Sequence, residues 1–467
     1  MILLRSAILI CLTFFVSINF SYIKPAQAKV FNAEQFTLDN GLEVILVPND
    51  RAPVVTSMIW YKVGAADEPM GLSGMAHYFE HLMFKGTDTL APGEFSRIVK
   101  KLGGNDNAFT GQDFTAYFQT IASEHLDKML AMEADRMLNL KVPDEHFKSE
   151  KKVVLEERRQ RTENDPKGLF YEQLRSALFV NHPYGTPTIG WMDEIEGYEW
   201  EDVKVFYDTW YAPNNATIII SGDVSVEKTR PLIEKYFSAL EPKEIPKRLR
   251  PNVPKAIGQT DMTLHHATIK QPSFTKMFIA PSFQNNKNDA LALQVLEQIL
   301  SGGATTRLYK SLVVEQKKAI SVGLSYNATA LDYGTITLYG TPLKSQEEGD
   351  DLNALISDIE DEIQKVQTDG VTDQELAEAK KQLIDSAVYA RDSLSGPAMT
   401  IGYNIATGAT LDDVENWPEN IGQITKEDVQ RVAQTYLDIS TPWVRPPVTG
   451  YLYPEKQKEQ VQKEEQE

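Results

Sequence analysis

Gly74-Met75-Ala76-His77-Tyr78-Phe79-Glu80-His81-Leu82-Met83-Phe84-Lys85-Gly86-Thr87 reads as a short helix carrying two kinds of residue. Tyr78, Phe79, Leu82, Met83 and Phe84 can bury it in a core. His77 and His81 stand four apart, so both imidazoles lie on one face and can reach a single metal ion. Glu80 is three after the first histidine and next to the second, hence on nearly the same face. There it can deprotonate a water at an open metal position. Charged groups on an otherwise apolar helix are costly to bury unless something pairs with them, and a metal supplies the reason. This H-x-x-E-H order is the inverse of the commoner zincin order.

A catalytic zinc site takes three protein ligands and keeps one position open. Past residue 28, the other histidines are His125, His146, His182, His265 and His266, and none has a companion motif. A carboxylate is therefore the expected third ligand.

Around this helix the chain alternates strands and helices. Leu42–Val47 and Val54–Val63 read as strands before it, and residues 93–102 as a second short helix after it. Phe114–Ala122 is a strand, His125–Asn139 an amphipathic helix, Pro143–Glu163 a long charged helix and Thr217–Gly222 a very apolar strand. From Leu240 to Gly258 the sequence is rich in Pro, Lys and Arg without periodicity and reads as a linker. A second series follows: strand Phe274–Ala280, helix Asp289–Leu300, Gly302-Gly303, strands Ala319–Tyr326 and Gly334–Tyr339, then helices over Glu347–Thr368, Asp373–Ser393 and from Thr425. Its order repeats the first and predicts an internal duplication. The expected fold class is α+β, with two homologous antiparallel-sheet-plus-helix domains. The expected division is 1–28 export signal, 29–240 first domain, 241–258 linker, 259–450 second domain and 451–467 disordered tail.

Length and composition agree with two cores. The 467 residues are 42% hydrophobic and 24% charged, with 47 Lys+Arg against 66 Asp+Glu and a net charge of -19. So negative a chain argues against nucleic-acid partners. Residues 1–28 carry Arg5, an apolar stretch and a terminal Ala26-Gln27-Ala28, the pattern of a cleavable export signal. Cleavage would remove Cys11, the one cysteine, and a disulfide-free exported chain suits the periplasm of a Gram-negative bacterium.

The helix 74–87 resembles the metal-binding helix of the M16 (pitrilysin-like, inverzincin) metallopeptidases, a family that includes mitochondrial processing peptidase. The resemblance implies one Zn²⁺ per chain and a downstream glutamate ligand in a helix reading roughly E-x-x-V-x-x-x-E. Here that stretch is EKKVVLEE, residues 150–157, which puts the third ligand at Glu157 and a supporting glutamate at Glu150; Glu156 points elsewhere. GGNDNAFTGQDFTAYF, residues 103–118, is similar to the family's substrate-side strand, where an extended peptide adds to the sheet. Asn107, Ala108 and Phe109 would then lie beside bound peptide. NHPYGTPTIG at 181–190 and FYDTWYAPNNATIIISGDV at 206–224 match further landmarks.

The second half resembles a sister domain without the metal site, with Gln294 and Gln298 at the two histidine positions. Active members also carry an Arg and a Tyr seven apart after a stretch like GG-x-x-S-R-L. Here SGGATTRLYKSLVVEQKKAISVG, residues 301–323, places Val313 and Ile320 there. The resemblance thus implies a zinc-dependent endopeptidase acting on extended or unstructured peptides. It would be the zinc subunit of a two-chain enzyme, like the processing-peptidase beta subunit, with a second M16-like chain supplying the Arg/Tyr pair; a homodimer is the runner-up. The alternative is a non-catalytic scaffold or peptide-binding subunit.

Overall fold

The apolar run Ala216–Gly222 (ATIIISG) is buried at every position and lies inside a six-stranded sheet. A strand buried on both faces has no solvent side to alternate towards, so its centre is an unbroken apolar run, Ile218-Ile219-Ile220, flanked by Thr217 and Ser221, whose hydroxyls are hydrogen-bonded. The structure is a computed structural model that describes residues 29–343, 350–438 and 446–455. The expected export signal with Cys11, the start of the helix expected from Glu347, and the tail past residue 455 lie outside the described residues.

The first sheet is built from β1 (Glu34–Thr37), β2 (Glu43–Pro48), β3 (Val54–Tyr61), β4 (Asn105–Thr110), β5 (Thr115–Ala122) and β6 (Ala216–Gly222), in the order β1-β2-β6-β3-β5-β4. The second uses β7 (Thr260–His266), β8 (Ser273–Ala280), β9 (Ala319–Asn327), β10 (Gly334–Pro342) and β11 (Val448–Pro454), in the order β7-β11-β8-β10-β9. Each is antiparallel except for one pair, β2 with β6 and β7 with β11. Laid over one another, β2-β6-β3-β5-β4 and β7-β11-β8-β10-β9 have the same connectivity and the same parallel pair. The duplication expected from element order is therefore a duplication of topology. β11 runs four residues beyond the boundary at 450, because its backbone pairs with β7 as far as Pro454.

The helix Met75–Leu82 follows β3, and the helix Lys287–Ser301 follows β8, so they hold matching places in the two units. Each sheet covers one face with its own unit's helices. The opposite faces are covered reciprocally. The helix Pro166–Leu178 lays Phe170, Leu174 and Leu178 against Met262, Met277, Val448 and Leu452 of the second sheet. The helix Gly396–Ala406 lays Ala398, Ile401 and Ile405 against Ile45, Met58, Trp60 and Ile219 of the first. Gly402 permits that approach, since a Cβ there would stand 2.0 Å from the Trp60 ring. Each buried Phe, Leu or Ile contributes roughly 1.5–3 kcal/mol, so the exchange ties the halves into one body. Neither helix was read from the sequence.

Residues 241–257 form no helix or strand, yet they do not hang free. Arg248 bonds Asp67 at 2.7 and 3.0 Å, and Arg250 reaches Asp113 at 2.8 Å and Asp67 at 2.9 Å. Both carboxylates are buried, so these pairs pin the connector to the first unit. At the chain's start, the buried Glu415 carboxylate accepts from the N–H groups of Phe31 and Ala33 at 2.9 and 2.7 Å. Among the described residues no helix is long and apolar enough to cross a membrane.

The second unit gives a pH prediction. Glu375 accepts a two-pronged bond from Arg307 at 2.6 and 2.8 Å and caps the helix Asp373–Ala390 through Thr372. The Arg307 fork holds its carboxyl down at about 2. A depressed carboxylate stabilises the fold fully above its unfolded value near 4.5, and the contribution is lost as pH falls through about 2. Glu375→Gln should therefore cost about 1–2 kcal/mol at neutral pH after allowance for partial exposure. Urea midpoints measured against pH should show the gap to wild type narrowing as pH falls from 4.5 towards 2. A gap independent of pH would contradict the charge argument.

Candidate metal centre

The helix Met75–Leu82 starts where only glycine fits. Gly74 has φ +88°, and a Cβ there would lie 2.3 Å from the Ile189 carbonyl oxygen. The buried Glu68 carboxylate accepts from the N–H groups of Gly74 and Ala76 at 2.7 and 2.8 Å. A carboxylate at a helix N-terminus satisfies otherwise orphaned donors. Burial nonetheless raises the Glu68 pKa well above the ordinary range, with the two amides opposing it. Glu194 accepts from the Ser73 N–H at 2.6 Å, fixing the turn before the helix. Tyr78, Phe79 and Leu82 are fully buried on one side, which leaves His77, Glu80 and His81 facing a cleft.

Facing them is the helix Asp144–Arg158, the α-helical part of the segment expected at 143–163; the chain continues through Arg159–Glu163 in a wider π-helical turn. Glu157 Oε2 lies 3.3 Å from His81 Nε2 and 3.7 Å from His77 Nε2. Among the described residues these three form the one cluster of His, Cys, Asp and Glu donors within 4.8 Å of one another. A tetrahedral zinc with bonds of about 2.0–2.2 Å needs donors roughly 3.3–3.6 Å apart. The donor set is of the type that holds that ion, with the His81–Glu157 distance inside this range and the His77–Glu157 distance just beyond it.

Glu150, seven residues before Glu157, accepts from His81 Nδ1 at 2.9 Å and from Lys85 at 2.6 Å. A carboxylate on Nδ1 makes that nitrogen the N–H of the neutral ring, so that Nε2 is the nitrogen that presents a lone pair to the cleft once His81 loses its proton. Burial alone would lower the His81 pKa, but the hydrogen bonds it donates to Glu150 and Glu157 overcome it and raise it to about 9. His77 goes the other way, to about 4, through burial and the neighbouring His81 charge. Burial raises the Glu80 pKa too, opposed by the Thr110 hydroxyl, which donates to its Oε2 at 2.6 Å. Arg161 pairs with the other oxygen of Glu157 at 2.8 Å. Glu156 faces away, bonded to Arg159 and Gln160.

A cavity of about 680 Å³ joins these groups to β4. Asn107, Ala108 and Phe109 line it beside Thr110 and Thr188. β4 is the end strand of its sheet, so its outer backbone edge is the place for an added strand. Phe109 also belongs to an aromatic cluster, 5.2 Å from Trp60 and stacked on Tyr403 at 5.7 Å. Glu68, Lys85, Thr110, Arg161 and Glu194 escaped the sequence reading. Lys85 and Thr110 sit inside the stretches quoted for their neighbours, but nothing in the sequence says that they touch Glu150 and Glu80.

In the second unit, Gln294 and Gln298 lie on the helix Lys287–Ser301, which follows β8 as the helix Met75–Leu82 follows β3. Gln298 donates to Gln382 at 2.6 Å, and Gln294 accepts from Trp417 at 2.9 Å. Gln382 follows Glu375 by seven residues, as Glu157 follows Glu150. Val313 packs against the second core and Ile320 is exposed on β9.

Two family descriptions match the chain: Insulinase (Peptidase family M16) over residues 43–191, and Peptidase M16 inactive domain over residues 199–383. Zinc protease PqqE of Helicobacter pylori is 36% identical over 311 residues, covering 66% of this chain and 69% of that protein. A protease structure from Helicobacter pylori is 30% identical, with a TM-score of 0.81 over 90% of this chain and 99% of that one. The first half of the periplasmic protease PqqL from Escherichia coli shares the fold, with a TM-score of 0.75 at 18% identity over 91% of this chain and 93% of that one. The chain belongs to the M16 metallopeptidase family.

Proposed function

We propose that this chain is a zinc-dependent endopeptidase of extended or unstructured peptides and the zinc subunit of a two-chain enzyme of the processing-peptidase kind. The observation that carries the reading is the His77, His81 and Glu157 donor set close to zinc spacing, with Glu80 in the same cavity as an open sheet edge. Zinc held by the three donors would supply Lewis acidity and make water acidic enough to attack at neutral pH. Glu80, its basicity raised by burial, takes the proton of the attacking water and delivers it to the leaving amine. Glu150 holds His81 in the tautomer that presents Nε2. β4 aligns the peptide backbone, and Asn107, Ala108 and Phe109 contact its side chains. We place the export signal at 1–28, the metal domain at 29–240 and the companion domain from 259, with delivery to the periplasm.

The second reading, a peptide-binding or scaffold subunit, is favoured by Val313 and Ile320, which cannot donate to a developing oxyanion. Loss of one such donor typically costs about 2.7–4 kcal/mol of transition-state stabilisation. The test is cleavage of a quenched peptide library by the zinc-loaded chain, alone and with an M16-type chain carrying the Arg/Tyr pair. Little turnover alone and strong turnover together is the expected result. Full turnover alone would remove the partner from the reading. Stoichiometric zinc and peptide binding without turnover in either arm would leave the second reading standing.

A further inference from the structure

Beyond β4 the metal cleft meets a second cavity of about 710 Å³, and Thr188 lines both. The β4–β5 turn with Gln112, Asp113 and Phe114 forms one wall, Tyr333 and Tyr403 of the second unit another, and Arg175 the floor. Arg175 comes from the exchanged helix Pro166–Leu178. Its Nε donates to the Tyr184 carbonyl at 2.7 Å, and its guanidinium lies 5.1 Å from the Phe179 ring centre and 6.0 Å from that of Tyr184. Among the described residues no carboxylate forms an ion pair with it. Burial pulls its pKa below the ordinary arginine value, with Tyr184 and Asp113 opposing.

Asp113, the one acid on the cavity wall, is already spent. Its Oδ1 takes Arg250 at 2.8 Å, and its Oδ2 accepts from Tyr184 at 2.5 Å and the Leu331 N–H at 3.0 Å. Gln112 adds a second unused group. Its Nε2 is held by Thr186 and Thr188 at 3.0 and 3.3 Å, whereas its Oε1 is buried without a hydrogen-bond partner among the described residues. The Arg175 guanidinium is half-buried on the cavity lining, with only its Nε bonded and no carboxylate paired to it among the described residues, and a buried acceptor without a donor is costly. Both are satisfied by one kind of ligand: a chain with a carboxylate for the guanidinium and an N–H for the amide oxygen.

We propose that Arg175 is a specificity residue that binds a carboxylate of the peptide lying in the cleft, with Gln112 accepting from the peptide backbone. This rests on the peptide-binding reading of the metal cleft and adds a preference to it. The carboxylate is an Asp or Glu side chain or the peptide's C-terminus. Arginine grips either through paired N–H bonds, and charge-assisted bonds of this kind carry most of the discrimination against neutral analogues.

Fluorescence anisotropy on the full zinc-loaded chain, made inert by Glu80→Gln, tests this without turnover. Labelled peptides would carry Asp or Asn at one position at a time, with the C-terminus free or amidated. At least one carboxylate peptide should bind about 10–100-fold tighter than its neutral partner, and the position identifies the source. Arg175→Gln should erase that difference. Arg175→Lys should retain part of it, which a merely structural role would not give, and it serves where Arg175→Gln fails to fold. Equal binding of charged and neutral peptides by the parent chain, or an undiminished preference in Arg175→Gln, overturns the proposal alone. Failure of every peptide to bind overturns the cleft reading together with it.

Discussion

Glu80→Gln is expected to lower peptide turnover on the order of 10²–10⁴-fold while leaving bound zinc near one per chain. The substitution is isosteric, and the amide oxygen can still accept from Thr110, whose hydroxyl donates to Glu80 Oε2 at 2.6 Å. Glu80 stands outside the three-donor cluster of His77, His81 and Glu157, so metal affinity has no reason to fall. What disappears is the proton acceptor. Metal content by mass spectrometry or atomic absorption, set beside peptide turnover measured with and without an added M16-type companion chain, separates the outcomes. Retained turnover would remove Glu80 from the chemistry. Lost zinc would mean that the helix 75–82 had been disturbed rather than its base removed.

How far the sequence reveals this molecule depends on the range of each interaction. The histidine pair was legible because one helical turn fixes both side chains, and no tertiary fact intervenes. Glu157 was reachable only through the family resemblance. Its place opposite His81 depends on packing between two helices nearly seventy residues apart, and the neighbouring Glu156 has the same composition and a different direction. The strands β3 and β6 were legible as apolar runs, because burial in mid-sheet leaves a compositional mark, and β5 by its alternation. The short edge strands β1 and β7 and the strand β11 left a weaker one. Least visible was the exchange of the helices Pro166–Leu178 and Gly396–Ala406. Each looks like an ordinary amphipathic or small-residue helix, and its target is a sheet face in the other half of the chain. Arg175 illustrates the same limit, since its neighbours come from the β4–β5 turn, the Tyr184 loop and the second unit. The connector at 241–258 was expected as a plain linker. Two of its basic residues, Arg248 and Arg250, are in fact counter-ions for Asp67 and Asp113, a pairing across more than a hundred residues that periodicity cannot signal.

Glu157→Gln is expected to weaken zinc binding by at least about 100-fold and to abolish turnover with it, whereas Glu156→Gln should change neither. Loss of an outer partner such as Glu150 typically costs 10–100-fold in metal affinity, and removal of a donor atom in contact with the ion must exceed that. Glutamine keeps the shape of the side chain but offers a neutral amide in place of an anion to a doubly charged ion. Two opposing effects have to be weighed. Glu157 helps hold His81 protonated, with a pKa raised to about 9 in the metal-free chain. Its loss would therefore ease deprotonation and favour metal entry. That gain is bounded, because the Glu150 bond to His81 Nδ1 at 2.9 Å remains and keeps much of the shift. The lost donor is not replaced, since Arg161, the other charged group against Glu157, is a cation. The donor term should win. Titration calorimetry in two buffers of different ionisation heat checks both parts together. Zinc loading of the parent chain at pH 7 should release close to one proton, from His81, and Glu157→Gln should release fewer as well as bind more weakly. Undiminished affinity in Glu157→Gln, or a loss in Glu156→Gln, would move the third donor off this position.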